Sequence, residues 1–107
     1  MAADLVNDIS IDAQNGDTTG SVVQFLSNTQ RTAWVNMASA GSVVLTINAG
    51  YDLDNVDFPI DTKTYQSGTA AQSDVYTYNM DFPFMNAVTS LQSGSVTTSV
   101  RFTGRGQ

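Results

Sequence analysis

The sequence predicts a mainly β protein: an N-terminal β-hairpin, an antiparallel sheet of about five strands, and a short C-terminal helix or extra strand. Short segments alternate apolar and polar residues, and clusters of Gly, Asn, Asp and Ser separate them. The chain also lacks Glu and is rich in Thr, Ser and Val, which favours strands over helices. A length of 107 residues fits a single domain that spans 1–107.

The first two strands are predicted to form the hairpin. Residues 5–12 place Ile9 and Ile11 on one face. The Asn-Gly-Asp sequence at 15–17 is a strong turn signal, because Asn and Gly tolerate a positive φ. The returning strand is predicted at 21–27.

The central part of the chain predicts three further strands, at 32–37, 42–48 and 52–60. Trp34 lies in the first of them. Pro59 cannot donate a hydrogen bond to a ladder, so it indicates a strand end or a sheet edge.

A polar, small-residue segment follows and is predicted to be an exposed loop between subunits. It consists of Gln66, Ser67, Gly68, Thr69, Ala70, Ala71, Gln72, Ser73 and Asp74. The next strand is predicted at 75–82, where Tyr76 and Tyr78 share one face and Val75 and Thr77 share the other.

The C-terminal part allows two interpretations. Phe84, Val88 and Leu91 have helical spacing and precede Gly94, which favours a short helix at 84–92. The alternation from Val96 to Phe102 indicates a strand. For 84–92, helix and strand both remain open.

Composition restricts the chemistry. The chain has no Cys and no His, which excludes cysteine nucleophiles, Ser-His-Asp triads and most transition-metal sites. Its ten acidic residues are all Asp, and the formal charge is −6. The four cationic residues are Arg31, Lys63, Arg101 and Arg105. We therefore expect no enzyme activity, no cofactor and no general nucleic-acid-binding surface.

The acidic and aromatic residues are candidates for metal, catalytic or ligand-stacking sites. Asp52, Asp54, Asp57 and Asp61 lie close in sequence, but their spacing does not match an EF-hand loop. Paired carboxylates alone do not indicate a glycosidase. Trp34, Tyr76 and Tyr78 could stack on sugars or bases, although aromatics on alternating strands more often belong to a core or an interface.

The order of these features resembles the coat proteins of single-stranded RNA bacteriophages over about residues 5–92. Residues 12–22 resemble the first hairpin of that family, and residues 31–36 resemble its Ala-Glu-Trp-Ile-Ser segment. Val56-Asp57-Phe58-Pro59 and the later run from Tyr78 to Pro83 resemble its last two sheet strands. The resemblance implies an N-terminal hairpin, a five-stranded sheet and C-terminal helices that interlock two subunits.

The family also has basic residues on the inner sheet face, which hold RNA. Ser42, Asn48 and Asn55 stand at those positions in this chain, and the C-terminal part is shorter and more β-like than the family's helices. The RNA-facing candidates that the resemblance and the remaining cations suggest are Thr46, Asn55, Thr77, Asn79, Arg101 and Arg105.

The resulting expectation is a virion coat protein that is made in the host cytoplasm, dimerises and assembles into a shell. Its expected partners are copies of itself and, weakly, viral RNA. No membrane partner is expected, because the longest apolar runs are far too short to span a bilayer. The alternatives are a tailed-phage decoration or tail-tube subunit, and a non-catalytic β-sandwich that binds carbohydrate or protein through Trp34 and surface tyrosines.

Overall fold

The computed structural model describes residues 5–25, 30–38, 41–67, 72–79 and 82–105. These residues form nine strands and no helix, which confirms the mainly β prediction. The strands are β1 (Leu5–Asn15), β2 (Thr18–Thr19), β3 (Val23–Gln24), β4 (Gln30–Ala38), β5 (Gly41–Gly50), β6 (Phe58–Ser67), β7 (Gln72–Asn79), β8 (Phe84–Gly94) and β9 (Thr97–Arg105). No helix among these residues could provide a membrane span.

The strands form two antiparallel sheets. The front sheet has four strands in the order β1-β9-β4-β7. The back sheet has five strands, in which β2 and β3 both pair with β8, followed by β5 and β6. Consecutive strands β6 and β7 are therefore edge strands of opposite sheets.

Alternation along the central strands places apolar side chains between the sheets. On β4, Ala33 and Val35 are buried whereas Trp34 is exposed. On β5, Leu45 and Ile47 face inward. The inward faces of both sheets form one hydrophobic cluster, as expected for a β-sandwich. Each fully buried Leu or Ile contributes about 1.5 to 3 kcal/mol to stability.

The predicted N-terminal turn forms, but the predicted hairpin does not, because the turn carries the chain from one sheet to the other. β1 pairs with β9 in the front sheet, whereas β2 pairs with β8 in the back sheet. Gly16 adopts a φ of 83°, as the Asn-Gly signal predicted. The Leu91 amide donates to Asp17 Oδ1 at 2.6 Å, and this hydrogen bond attaches the turn to β8.

Residues 84–92 form a strand, which decides between the two interpretations of the C-terminal part. Met85, Ala87 and Thr89 alternate and are buried. Phe84 and Val88, which suggested helical spacing, are only partly buried. β8 pairs with β5 along most of its length. Alternate residues of β8 therefore face the core between the sheets, as in a strand and not as in a helix.

Two predicted boundaries are wrong. The strand predicted at 52–60 begins only at Phe58, because the Asn55 amide donates to the Asp52 carbonyl oxygen at 3.1 Å and closes a turn. The loop predicted at 66–74 is strand at both ends: Gln66 pairs with Ser42 on β5, and residues 72–74 pair with β4. Its central residues, 68–71, lie outside the described residues, as do 80 and 81 of the strand predicted at 75–82.

Candidate binding surfaces

The outer face of the front sheet carries a row of side chains that crosses all four strands. Ile9 pairs with Arg101, Arg101 also pairs with Trp34, and Trp34 pairs with Val75. The three apolar members are 40% to 54% exposed. We call this row and its surroundings the front cleft; its volume is about 480 Å³.

Two hydrogen bonds orient the centre of the front cleft. Trp34 Nε1 donates to Thr103 Oγ1 at 2.8 Å, which fixes the indole ring while leaving part of its surface exposed. The Arg101 guanidinium donates to Asn7 Oδ1 from the opposite side. Both side chains are therefore positioned before any ligand arrives.

The rim of the front cleft supplies further polar groups. Ser73 Oγ donates to Asn36 Oδ1 at 3.0 Å, and Asp12 and Asp74 also line the cleft. The Tyr76 hydroxyl donates to Asp74 Oδ2 at 3.2 Å. The front cleft thus combines an aromatic surface with hydrogen-bond donors and acceptors, an arrangement suited to ligands that have both apolar faces and hydroxyl groups.

A second exposed surface lies at one end of the back sheet. Tyr51, Leu53 and Phe58 are 57% to 69% exposed. The Phe82 ring lies 4.6 Å from that of Tyr51 and 5.6 Å from that of Phe58, between ring centroids. We call these four residues the aromatic patch. Several large apolar side chains exposed so close together are typical of an interaction site.

The local sequence explains how the aromatic patch forms. Gly50 ends β5 where a Cβ atom would overlap the Asn55 carbonyl oxygen and lie 2.9 Å from Val56 Cα. Only glycine lets the chain fold back this closely. The turn closed by Asp52 and Asn55 then leaves Tyr51 exposed beside Phe82.

Arg31 supports the aromatic patch from inside the sandwich. Its side chain is 1% exposed, lies 4.3 Å from the centre of the Phe25 ring and donates to the Phe82 carbonyl oxygen. A planar guanidinium can stack and donate at once, which an ammonium cannot do equally well. Arg31 therefore links the front sheet to the residue at the centre of the aromatic patch.

The rim of the aromatic patch is acidic. A groove of about 370 Å³ runs beside the rings, and its lining includes Asp52 and Asp57. Asp54 is exposed in the same turn. No Lys or Arg is among the described residues that line this groove.

A third cluster connects the two edge strands β6 and β7. The hydroxyl groups of Tyr65 and Tyr76 are hydrogen-bonded to each other, and Tyr78 donates to Asp61 Oδ2 at 2.7 Å. Burial, followed by the bond to Asp61, raises the pKa of Tyr78. Burial is also the main cause of the raised pKa of Tyr65 and of Tyr76. These phenols act as neutral donors and acceptors, so the cluster is structural.

The predicted RNA-facing residues do not share one surface. Thr77, Asn79 and Arg101 belong to the front sheet, whereas Thr46 belongs to β5 of the back sheet. Asn55 lies in the turn beside the aromatic patch, and Arg105 ends β9. RNA contact by these residues stays a prediction.

The structure also places the four aspartates at 52–61 and the predicted inter-subunit loop. Asp52, Asp54 and Asp57 lie in or next to the turn, whereas Asp61 binds Tyr78 on β6. Within the described residues, no three acidic side chains form a group that could hold a metal ion. Ser73 and Asp74, predicted in the loop, line the front cleft instead.

Sequence reasoning identified Trp34 as a candidate contact residue but missed the aromatic patch. The signal was the alternation of Tyr51 and Leu53 with Asp residues in a segment bounded by Gly50 and Pro59. The same alternation is also typical of a strand, which is the structure predicted at 52–60. Large apolar residues in a segment with Gly, Asn and Asp can equally indicate an exposed turn.

No protein-family model matches the sequence, and no curated protein matches it. Solved structures are similar in fold. A chain of infectious bursal disease virus, Gx strain, matches with a TM-score of 0.52 and 13% identity, over 96% of this chain and 32% of that chain. A carbohydrate-binding module from Cellvibrio mixtus lichenase 5A, solved with cellotriose, has the same TM-score and identity, over 95% of this chain and 97% of the module.

A chain of the Gt strain of the same virus matches with a TM-score of 0.50 and 11% identity, over 98% of this chain and 33% of that chain. Our chain thus spans about a third of the viral chains. At these identities the likeness shows the fold alone, an antiparallel β-sandwich.

The resemblance to single-stranded RNA phage coat proteins is therefore wrong. No such coat protein is among the structural matches. The physical reason lies in the strand pairing: β9 inserts between β1 and β4 in one sheet, and β8 lies beside β5 in the other. The implied single sheet with helices does not form among the described residues. The matching motifs did not exclude this outcome, because each is short enough to fit another β topology.

Proposed function

We propose that this chain is a non-catalytic structural subunit of a virus particle, and that it contacts neighbouring protein through the aromatic patch. The observation that carries the proposal is the exposure of Tyr51 and Phe58 beside the half-buried Phe82, with Leu53 exposed in the adjoining turn. Large apolar side chains clustered at a surface lower their free energy when a partner covers them.

The fold supports a viral role because related sandwiches occur in chains of infectious bursal disease virus. Location in a virion and association into an ordered assembly are parts of this proposal. The absence of His and Cys from the sequence supports the further expectation that the chain is not an enzyme.

The test is electron microscopy and size-exclusion chromatography of the full chain, alone and mixed with particles from its source. We expect the chain to label the particles or to form ordered assemblies, and Phe58→Ser to reduce the labelling. Val75→Ser removes a similarly exposed apolar side chain from the front sheet and serves as the control. A chain that stays monomeric and labels no particle would contradict the proposal.

A second candidate function is glycan binding in the front cleft. The specific observation is the exposed Trp34 ring, which a hydrogen bond to Thr103 holds in place between the polar groups of Arg101 and Asn36. A carbohydrate-binding module of similar fold was solved with cellotriose, so cello-oligosaccharides are suitable first ligands.

Glycan-array screening followed by calorimetry tests this candidate. We expect Trp34→Ala to weaken binding by at least about tenfold, as the loss of an aromatic anchor does at other binding sites. Tyr51→Ala removes an exposed aromatic residue outside the cleft and should leave binding unchanged. Equal losses in both variants, or no binding at all, would refute it.

A further inference from the structure

We infer that the aromatic patch docks a basic surface of a different protein, rather than a second copy of this chain. This inference rests on the proposed function and specifies its partner. The complement would place apolar side chains against Tyr51 and Phe58, and Lys or Arg side chains at the rim.

The charge around the aromatic patch is negative. Asp52, Asp54 and Asp57 are all exposed there, and the described lining contains no cation. The buried Arg31 lies beneath Phe82, but its 1% exposure keeps it from direct contact with a partner. The negative charge of these aspartates attracts a partner with cationic groups and repels an acidic partner.

Two cations of the chain, Lys63 and Arg101, lie among acidic groups of their own. Lys63 Nζ lies 3.7 Å from Asp61 and 4.8 Å from the centre of the Tyr76 ring, so it already has neighbours. Arg101 lies in the front cleft with Asp12 and Asp74, which give that cleft an excess of negative charge.

Symmetry also disfavours a contact between two copies of the patch. A twofold contact between two aromatic patches would bring both sets of aspartates together. Each whole chain also carries a formal charge of −6, so copies repel one another at low ionic strength. Self-docking through this patch is therefore opposed both locally and over the whole molecule.

Added salt distinguishes a basic partner from a second copy, because it changes the affinity of the patch for them in opposite directions. Screening weakens attraction between the acidic rim and a basic partner. The same screening removes repulsion between copies, so self-association through the patch would increase with salt.

The experiment uses the full chain and a synthetic peptide of alternating Leu and Lys, with polylysine of equal length as a control. Fluorescence anisotropy of the labelled peptides is measured at low and high NaCl, and sedimentation velocity follows the chain alone. We expect the Leu-Lys peptide to bind more tightly than polylysine, and added salt to weaken its binding. The chain alone should show no patch-dependent self-association at either salt concentration.

Matched variants localise the binding. Phe58→Ser should lower the affinity for the Leu-Lys peptide by about tenfold or more, and Asp57→Asn should lower it by about threefold. Val75→Ser and Asp8→Asn make the same kinds of change at exposed positions of the front sheet and should have little effect. Circular dichroism confirms that each variant is folded.

Equal effects of Asp57→Asn and Asp8→Asn, or of Phe58→Ser and Val75→Ser, would overturn the inference, since binding would then reflect general charge or hydrophobicity. Salt-promoted self-association that Phe58→Ser abolishes would overturn it in favour of a second copy. Peptide docking without particle labelling would leave the inference standing and remove only the virus-particle role.

Discussion

At the scale of single residues, the side of the sandwich between β6 and β7 depends on tyrosine hydroxyl groups. Tyr78 donates to Asp61, and Tyr76 donates to Asp74 while its oxygen bonds with Tyr65. The bonds from Tyr78 to Asp61 and between Tyr65 and Tyr76 connect edge strands of opposite sheets. They also occupy side-chain groups that would otherwise need water.

Tyr78→Phe should lower the free energy of unfolding by about 1 to 3 kcal/mol, because the partly buried Asp61 carboxylate loses a donor. Urea denaturation at neutral pH measures this. Tyr51→Phe makes the same chemical change at an exposed ring and should cost much less. Equal losses would contradict a structural role for the Tyr78 bond.

The same bonds predict a pH dependence. The pKa of Tyr78 is raised in the folded state above the ordinary value of 10.0, so the folded state keeps its proton when the unfolded state releases it. Stability from Tyr78 is therefore fully present below pH 10 and decreases as the pH rises above it. In urea denaturation from pH 8 upward, Tyr78→Phe should show a shallower alkaline decrease than the unsubstituted chain.

At the scale of elements, the segment from Gly50 to Phe58 determines the aromatic patch. Gly50→Ala places a methyl group against the Asn55 carbonyl oxygen, so the turn must move. We expect a loss of about 1 to 3 kcal/mol in urea denaturation, together with weaker peptide docking.

Gly16→Asn is the control for this substitution. Gly16 has a φ of 83° with no atom within 4 Å of an added Cβ, and Asn tolerates that conformation. It should cost about 1 kcal/mol or less and leave docking unchanged. Similar losses at both glycines would show that close approach is not what Gly50 provides.

The elements also show how far the sequence could be interpreted. Alternation predicted the central strands well, because residues such as Val35 and Leu45 alternate with more exposed neighbours in one hydrophobic period. The sheet to which each strand belongs could not be predicted. β1 pairs with β9, which lies at the other end of the sequence, and no local residue pattern specifies that partner. Trp34 was identifiable as a candidate, but its exposure depends on which face of β4 the opposite sheet covers.

At the scale of the whole molecule, two surfaces of different chemistry lie on different sheets. The front cleft is centred on Trp34 and Arg101, and the aromatic patch on Phe58 and Phe82. Their linings have no residue in common. Because the two surfaces share no lining residue, a substitution in one is not expected to change the other.

The two surfaces should therefore behave independently. Trp34→Ala should leave docking of the Leu-Lys peptide unchanged, and Phe58→Ser should leave any glycan binding unchanged. In the double variant, the two losses in unfolding free energy should add to within about 0.5 kcal/mol, because the side chains share no partner. Urea denaturation and the two binding assays on the four proteins of this cycle measure it. A coupling well above that value would mean that one surface supports the other through the core, and the front cleft and aromatic patch would then form a single functional unit.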